Sequence, residues 1–417
     1  MTRASTIPSS LREFAVSKDT FLVKKQFEQE CGISGYFSET PGIKGSLRRT
    51  PEDFVVWELD SAGKRVTEHY IPQETGGLFS TFVLKKTNLD TPTALNRLSS
   101  TLNHPLNAFG YAGLKDARAV TYQRVSVWDI SPDKFKHLSL KGIEIFNPVR
   151  TVFGITLGSL CGNEFQITVS EISCSPEDTI SRINRIRQEL IEAGGVPNFF
   201  GMQRFGEKRP ISHLIGRALI EGHPQEAASL YLTRTSVLEH PQLQQCRQRL
   251  KETWDLKEFL RCIPPRYEYE KILAHYLLKR PGDPWGAIRS LPRGIVKLFL
   301  HAFQSYLFNR MLSALLRSSE CISPDLNIPL PGLGTEISSF NAPIRGILQK
   351  ILEEECLSLE QFEMTPLNIR LRGIRRAALV QPRNLTHIIH EGGDVIFHFS
   401  LPAGSYATSI LREFMKW

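Results

Sequence analysis

The chain has 417 residues, 41% hydrophobic and 23% charged, an ordinary globular composition that argues against a disordered or low-complexity chain. Its 51 Lys and Arg against 43 Asp and Glu give a net charge of +8. That excess is compatible with a polyanionic partner, because clustered cations displace counterions from phosphates, but it does not select one. No apolar run approaches the ~18–20 residues that would span a bilayer, and at ~100–200 residues per domain the length suggests two or three domains.

Up to about residue 170 the chain predicts mainly strands. Phe54–Leu59, Thr81–Leu84, Thr121–Val127 and Phe165–Val169 are β-branched or aromatic, and most alternate. Between them a short helix is predicted, with Thr91 as its cap, Pro92 at its first position and Leu95, Leu98 and Leu102 on one face. A second helix starts at Ser175-Pro176-Glu177-Asp178, carries Ile180, Ile183, Ile186, Leu190 and Ile191, and stops at Gly194-Gly195. From about 210 to 365 the pattern is helical. It is polar and Gln/Leu-rich over 225–262 and strongly periodic over 295–316, through Ile295, Leu298, Ala302, Phe303, Tyr306, Leu307, Met311 and Leu315. Strand character returns only at Val395–Leu401. A sheet-rich start, a helical middle and a closing strand predict one α+β domain interrupted by an inserted one.

The motif search is mostly exclusion. There is no G-x-x-x-x-G-K-[ST] loop for a nucleoside triphosphate and no strand followed by G-x-G-x-x-G for a dinucleotide. There is no H-E-x-x-H; His387 and His390 sit in a segment that reads as extended, where such a pair is more often structural than a zinc site. There is no G-x-S-x-G elbow. The seven cysteines (31, 161, 174, 246, 262, 321 and 356) form no C-x-x-C, and an odd count reads as reduced thiols rather than a disulfide framework or structural zinc. The amino-terminal MTRASTIPSSLREF, basic at Arg3, is followed by no apolar stretch and is not read as a secretory signal. The expectation is a cytoplasmic protein (with the nucleus as the alternative in a eukaryote), with no membrane, no metal and no cofactor.

Three segments have the residue types for chemistry. Ala112–Arg124 crowds Lys115, Asp116 and Arg118 into a turn after Gly113, and cations beside a carboxylate favour the ionised form that a nucleophile or base must have. The plainer reading is a solvated turn opening a hairpin. Gly195–Gly206 alternates Phe199, Phe200 and Phe205 with Asn198, Gln203 and Arg204: aromatic faces stack bases, amides read base edges, and Arg pairs with phosphate. The same residues also suit a glycine-framed linker whose rings plug a core. Arg370, Arg372, Arg375 and Arg376 form a basic stripe for a phosphate backbone, or charged surface; Lys44, Arg48 and Arg49 are a weaker cluster.

Taken in order, these segments and their neighbours resemble the TruD family of tRNA pseudouridine synthases. The matching pieces are Gly42–Leu47 with Pro51–Glu58, Gly113–Gln123, Gly162–Phe165, Pro197–Gly206, Gln304–Asn309, and Leu401–Thr408 with Leu411–Glu413. They cover most of the chain, and the extended middle is similar to the archaeal and eukaryotic branch. The resemblance implies an α+β pseudouridine synthase catalytic domain with a mixed or antiparallel sheet. An inserted, mainly helical α+β TRUD domain interrupts it, giving 1–199 as the first catalytic part, 200–373 as the insert and 374–417 as the closing segment.

It further implies isomerisation of uridine in tRNA, with position 13 the usual target, on a flipped-out nucleotide and without a cofactor. Carried over, the motif carboxylate is Asp116, and Asn198 and Phe200 line the base pocket. Glu58 matches a family glutamate, Lys115 and Arg124 are the candidate basic partners of Asp116, and Gln203 and Arg204 are expected to bind RNA. The competing classes are a catalytically silent RNA-binding module of the same fold, against which the presence of Asp116 speaks, and another base-modifying enzyme such as a methyltransferase, for which no donor-binding glycine motif is visible.

Overall fold

A computed structural model describes residues 18–136, 138–318 and 322–416, with side chains from residue 22 onward. The amino-terminal segment read above and Cys321 lie outside the described residues. The chain divides into two compact units: Ser38–Val196 with Val380–Lys416, and Pro197–Leu379 with the described residues up to Phe37. The helix Lys18–Glu30 and its continuation to Phe37 therefore group with the helical unit, not with the sheet-rich part to which the expected borders assign them. The reason is packing: Phe27, Cys31 and Ile33 are buried there, and Ser313 Oγ donates to the Gly32 carbonyl while accepting the Ser34 amide.

The first unit is built on a nine-stranded sheet: β1 Ser46–Leu47, β2 Phe54–Leu59, β3 Phe79–Thr87, β4 Phe109–Tyr111, β5 Val120–Trp128, β6 Ile143–Thr151, β7 Gly162–Ser170, β8 Arg383–Ile389 and β9 Val395–Pro402. The order is β8-β9-β7-β2-β5-β3-β6, with β1 on β7 and β4 on β5. The β2–β5 pair is parallel and the rest are antiparallel, so the sheet is mixed. Alternate residues of β2 and β9 are buried, as the period of two predicts. Phe54 meets Phe165 edge-on at 6.4 Å, and Phe165 stacks on Phe399 at 5.5 Å, so one ring ladder ties β2, β7 and β9. Such pairs add ~0.5–1.5 kcal/mol each beyond area burial.

β8, like β1, β4 and β6, is not among the strands the sequence names. It is an edge strand with exposed or half-exposed residues throughout, so no buried alternation marks it, although the extended reading of the His387 segment holds. Two helix details also differ. Asp90, not Thr91, caps the helix Thr91–Leu102, accepting the Thr93 amide at 2.8 Å. In the helix Pro176–Glu192, Ile183, Ile186 and Leu190 are buried, but Ile180 and Ile191 face solvent.

The second unit is mainly helical, centred on the 25-residue helix Arg293–Arg317, which buries residues around much of its circumference. Cys246 and Cys262 lie on successive helices, Pro241–Thr253 and Leu256–Cys262, and are joined as a disulfide with Cα atoms 6.0 Å apart. This corrects the expectation of reduced thiols at these two positions: the helical hairpin places them opposite each other, which spacing alone does not reveal. Cys31, Cys161, Cys174 and Cys356 are free. Among the described residues no helix is long and apolar enough to cross a membrane.

His213 is 2% exposed, stacked on Tyr306 at 5.2 Å and edge-on to Phe205 at 5.3 Å. Neither ring nitrogen makes a well-formed hydrogen bond. Burial pushes its pKa down to about 4, only partly opposed by the Glu30 backbone. A depressed folded-state pKa means the contribution is complete above about 6.5 and is lost as pH falls toward 4, because the unfolded chain takes the proton first. Thermal melts between pH 7 and 4.5 are expected to show a decline that His213→Phe reduces; an unchanged profile in the variant would rule His213 out as a source.

Candidate active site

The loop 112–119 leads into β5, and Asp116 near its centre keeps its side chain 25% exposed. Around it the loop is pinned by buried groups. Thr91, released from capping, accepts the Lys115 amide at 3.1 Å and donates to Gln123 Oε1 at 3.0 Å. Lys86 Nζ, fully buried on β3, donates to the carbonyls of Leu89, Lys115 and Asp116. Gly113 itself is not left-handed, and a Cβ there would meet nothing closer than 3.9 Å, so the turn does not depend on glycine as its sequence suggests.

The candidate basic partners of Asp116 require correction. Arg48 NH2 donates to Asp116 Oδ1 at 3.0 Å, with its guanidinium 4.1 Å over the Phe54 ring. Lys115 and Arg124 instead converge on Glu58, at 3.1 and 2.8 Å, with side chains 3% and 9% exposed and Glu58 at 0%. Arg124 also donates to the Ser159 carbonyl. β2 and β5 pair in parallel over Val55–Trp57 and Val120–Tyr122, which brings Glu58 beside Arg124, while Lys115 reaches it from the loop before β5. Burial pushes the Lys115 ammonium down, and Glu58 opposes that shift. Three residues expected to bind substrate thus form a closed, buried ion cluster. Arg48 was visible in the sequence only as part of a weak basic cluster, and Lys86 carried no signal beyond a Lys-Lys pair in a strand.

In the helical unit the 197–206 segment is also held tightly. Asn198 donates through Nδ2 to the Ala377 carbonyl at 3.1 Å, and its Oδ1 accepts from Arg376 NH2 at 2.7 Å. Phe200 is 6% exposed, with the Arg376 guanidinium 4.1 Å over its ring, Phe308 edge-on at 5.4 Å and Arg204 at 5.6 Å. Phe199 and Phe205 are core residues at 1% and 0%. Gln203 and Arg204 are half-buried in a 3₁₀ turn, Met202–Arg204, and Arg204 Nε donates to Ser305 Oγ at 3.1 Å. Of the basic stripe, Arg376 turns inward onto this segment, while Arg370 pairs with Glu363 and Arg375 lies over Phe340. Among the described residues no group of three or more His, Cys, Asp and Glu side chains has metal-holding geometry.

The family model described as tRNA pseudouridine synthase D (TruD) matches residues 30–325 and 319–414. The chain belongs to the TruD family. Relatives include the probable tRNA pseudouridine synthase D of Methanosarcina acetivorans, 32% identical over 94% of this chain and 97% of that one. Another, from Thermococcus onnurineus, is 33% identical over 91% of this chain and 97% of that one. A crystal structure of a candidate TruD from Methanosarcina mazei superposes with a TM-score of 0.73 at 31% identity, covering 94% of this chain and 98% of that one.

The TruD segments quoted from the sequence have physical reasons here. On the helix Arg293–Arg317, positions 304, 305, 308 and 309 recur at helical spacing and present one face. Asn309 accepts the Phe200 amide at 2.9 Å and donates to its carbonyl at 3.0 Å; Phe308 meets the Phe200 ring; Ser305 holds Arg204; and Gln304 donates to the Pro331 carbonyl at 2.8 Å. In the sheet unit, a Cβ on Gly162 would stand 2.2 Å from the Leu401 carbonyl oxygen, and one on Gly42 would stand 2.3 Å from that of Met415. Both glycines permit backbone approach that no side chain allows. Glu413 Oε2 accepts from the Ser38 amide at 3.2 Å and hydroxyl at 3.1 Å, fastening the closing helix Ala407–Met415.

Proposed function

We propose that this protein is a tRNA pseudouridine synthase that isomerises uridine, at position 13, with Asp116 as its catalytic carboxylate. The observation that carries the reading is a TruD chain whose motif aspartate keeps a quarter-exposed carboxylate on a loop pinned through its backbone and through Arg48. The sheet unit is then the catalytic domain and the inserted helical unit the TRUD domain.

The reaction breaks the N1–C1′ bond of uridine, turns the base, and joins C5 to C1′, with the C5 hydrogen leaving as a proton and N1 gaining one. It is redox-neutral and consumes no donor. Asp116 acts at the ribose, by attacking C1′ or by taking the 2′ proton. The nucleotide must first leave its stack at a cost of a few kcal/mol, which contacts in the pocket offset. We assign Phe200 and Asn198 to the base, and Gln203 and Arg204 to the RNA around it; Glu58, Lys115 and Arg124 support the Asp116 loop from below.

The test is release of tritium from tRNA transcripts labelled at uridine C5, with pseudouridine then mapped in the product. Release without added cofactor and a modified position 13 are expected. Tight tRNA binding with no release would favour a silent RNA-binding module, and dependence on a methyl donor would favour a methyltransferase. Phe200→Ala is expected to lower kcat by ~10-fold or more, the scale of one base–aromatic stack, while nonspecific RNA binding stays within two-fold. Equal losses in both would make Phe200 structural only.

A further inference from the structure

The buried cations near Asp116 divide by what they hold. Lys115 and Arg124 are paired with Glu58, and Arg48 reaches the Asp116 carboxylate. Lys86, 0% exposed, is spent on main-chain carbonyls: Leu89 at 2.7 Å, Asp116 at 2.5 Å and Lys115 at 3.3 Å. An ammonium has three N–H donors, and three acceptors account for them. Two of those acceptors belong to the catalytic aspartate and the residue before it, and the third precedes Asp90, the cap of the neighbouring helix. Burying a full charge on carbonyls alone is a costly way to fasten a loop, and Met, of similar length, would fill the space without that cost.

We propose that Lys86 is the positioning residue of Asp116, fixing the main chain of the loop so that the carboxylate is delivered to one place; this rests on the reading of Asp116 as the catalytic carboxylate. With its own carbonyl anchored, Asp116 retains only its side-chain torsions, and Arg48 restrains those by binding Oδ1. A displacement of about 1 Å in a reacting group costs on the order of 10²-fold in rate. Burial draws the Lys86 pKa down to about 8, against the pull of Asp116 and Asp90 and with the push of Lys115, so the ammonium form still predominates near neutrality.

The experiment compares wild type, Asp116→Asn, Lys86→Met and Lys86→Gln in the C5-tritium assay on full-length tRNA transcripts, with fold checked by circular dichroism and thermal melting. Lys86→Met is expected to lose ~10²-fold in kcat, while KM and the Kd for tRNA stay within two-fold. Lys86→Gln, which keeps two N–H donors but no charge, is expected to lose ~10-fold and decides the matter if the Met variant does not fold. A kcat within two-fold of wild type in a folded Lys86 variant overturns the role of Lys86, as does a loss expressed entirely in KM. Tritium release by Asp116→Asn equal to wild type overturns the reading of Asp116, and the role of Lys86 with it.

Discussion

Asp116→Asn is expected to abolish tritium release from C5-labelled tRNA, by ~10³-fold or more, with tRNA affinity and melting temperature almost unchanged. The size follows from removing a group that acts on the reacting ribose, which no neighbouring group replaces in kind. The specificity follows from the geometry. Asn has the same shape and still offers an oxygen to Arg48, which now donates at 3.0 Å to Oδ1. The loop is held by the Lys86 and Thr91 contacts to main-chain atoms, and these survive the substitution. The Asp116 side chain is itself 25% exposed, and Arg48, at 6%, loses its counter-charge but keeps an oxygen acceptor. Activity within ten-fold of wild type would remove Asp116 from the chemistry. A collapse in stability would mean that the charge of Asp116 is chiefly structural.

The second large effect is on stability. Glu58→Ala leaves Lys115 and Arg124 in the sheet interior without their counter-charge, where Glu58 now meets them at 3.1 and 2.8 Å. Breaking a buried pair by removing one partner costs ~3–5 kcal/mol, because the stranded charge keeps its desolvation penalty. Here one carboxylate serves two cations, so the upper part of that range is expected. Glu58→Gln keeps an acceptor for Arg124 and should be less severe. Chemical denaturation of the three proteins checks this. A loss below about 1 kcal/mol for Glu58→Ala would show that the cluster rearranges freely, and the same change moving activity without stability would return Glu58 to direct substrate contact.

The sequence was informative wherever local chemistry repeats along the chain. Alternation in Phe54–Leu59 and Val395–Leu401 marks strands whose alternate residues are buried, and the Gly194-Gly195 stop marks a helix end. It was silent about β8, since an edge strand lacks a dry face, and it misassigned the cap at Thr91 because Thr and Asp are both good caps at adjacent positions. It could not foresee that Cys246 and Cys262 would meet across a helical hairpin.

By itself the sequence determined the α+β class, the main strands and helices, the likeness to the TruD family and the candidate aspartate, because these rest on periodicity and on contiguous motifs. Tertiary structure decided the partners. Arg48 reaches Asp116 across 68 positions, Lys86 reaches its carbonyl across 30, and Arg376 holds Asn198 across 178. Many of the 51 cations could have filled these places by composition alone. Strand register and burial select among them, because a desolvated charge is tolerated only where its hydrogen bonds are satisfied.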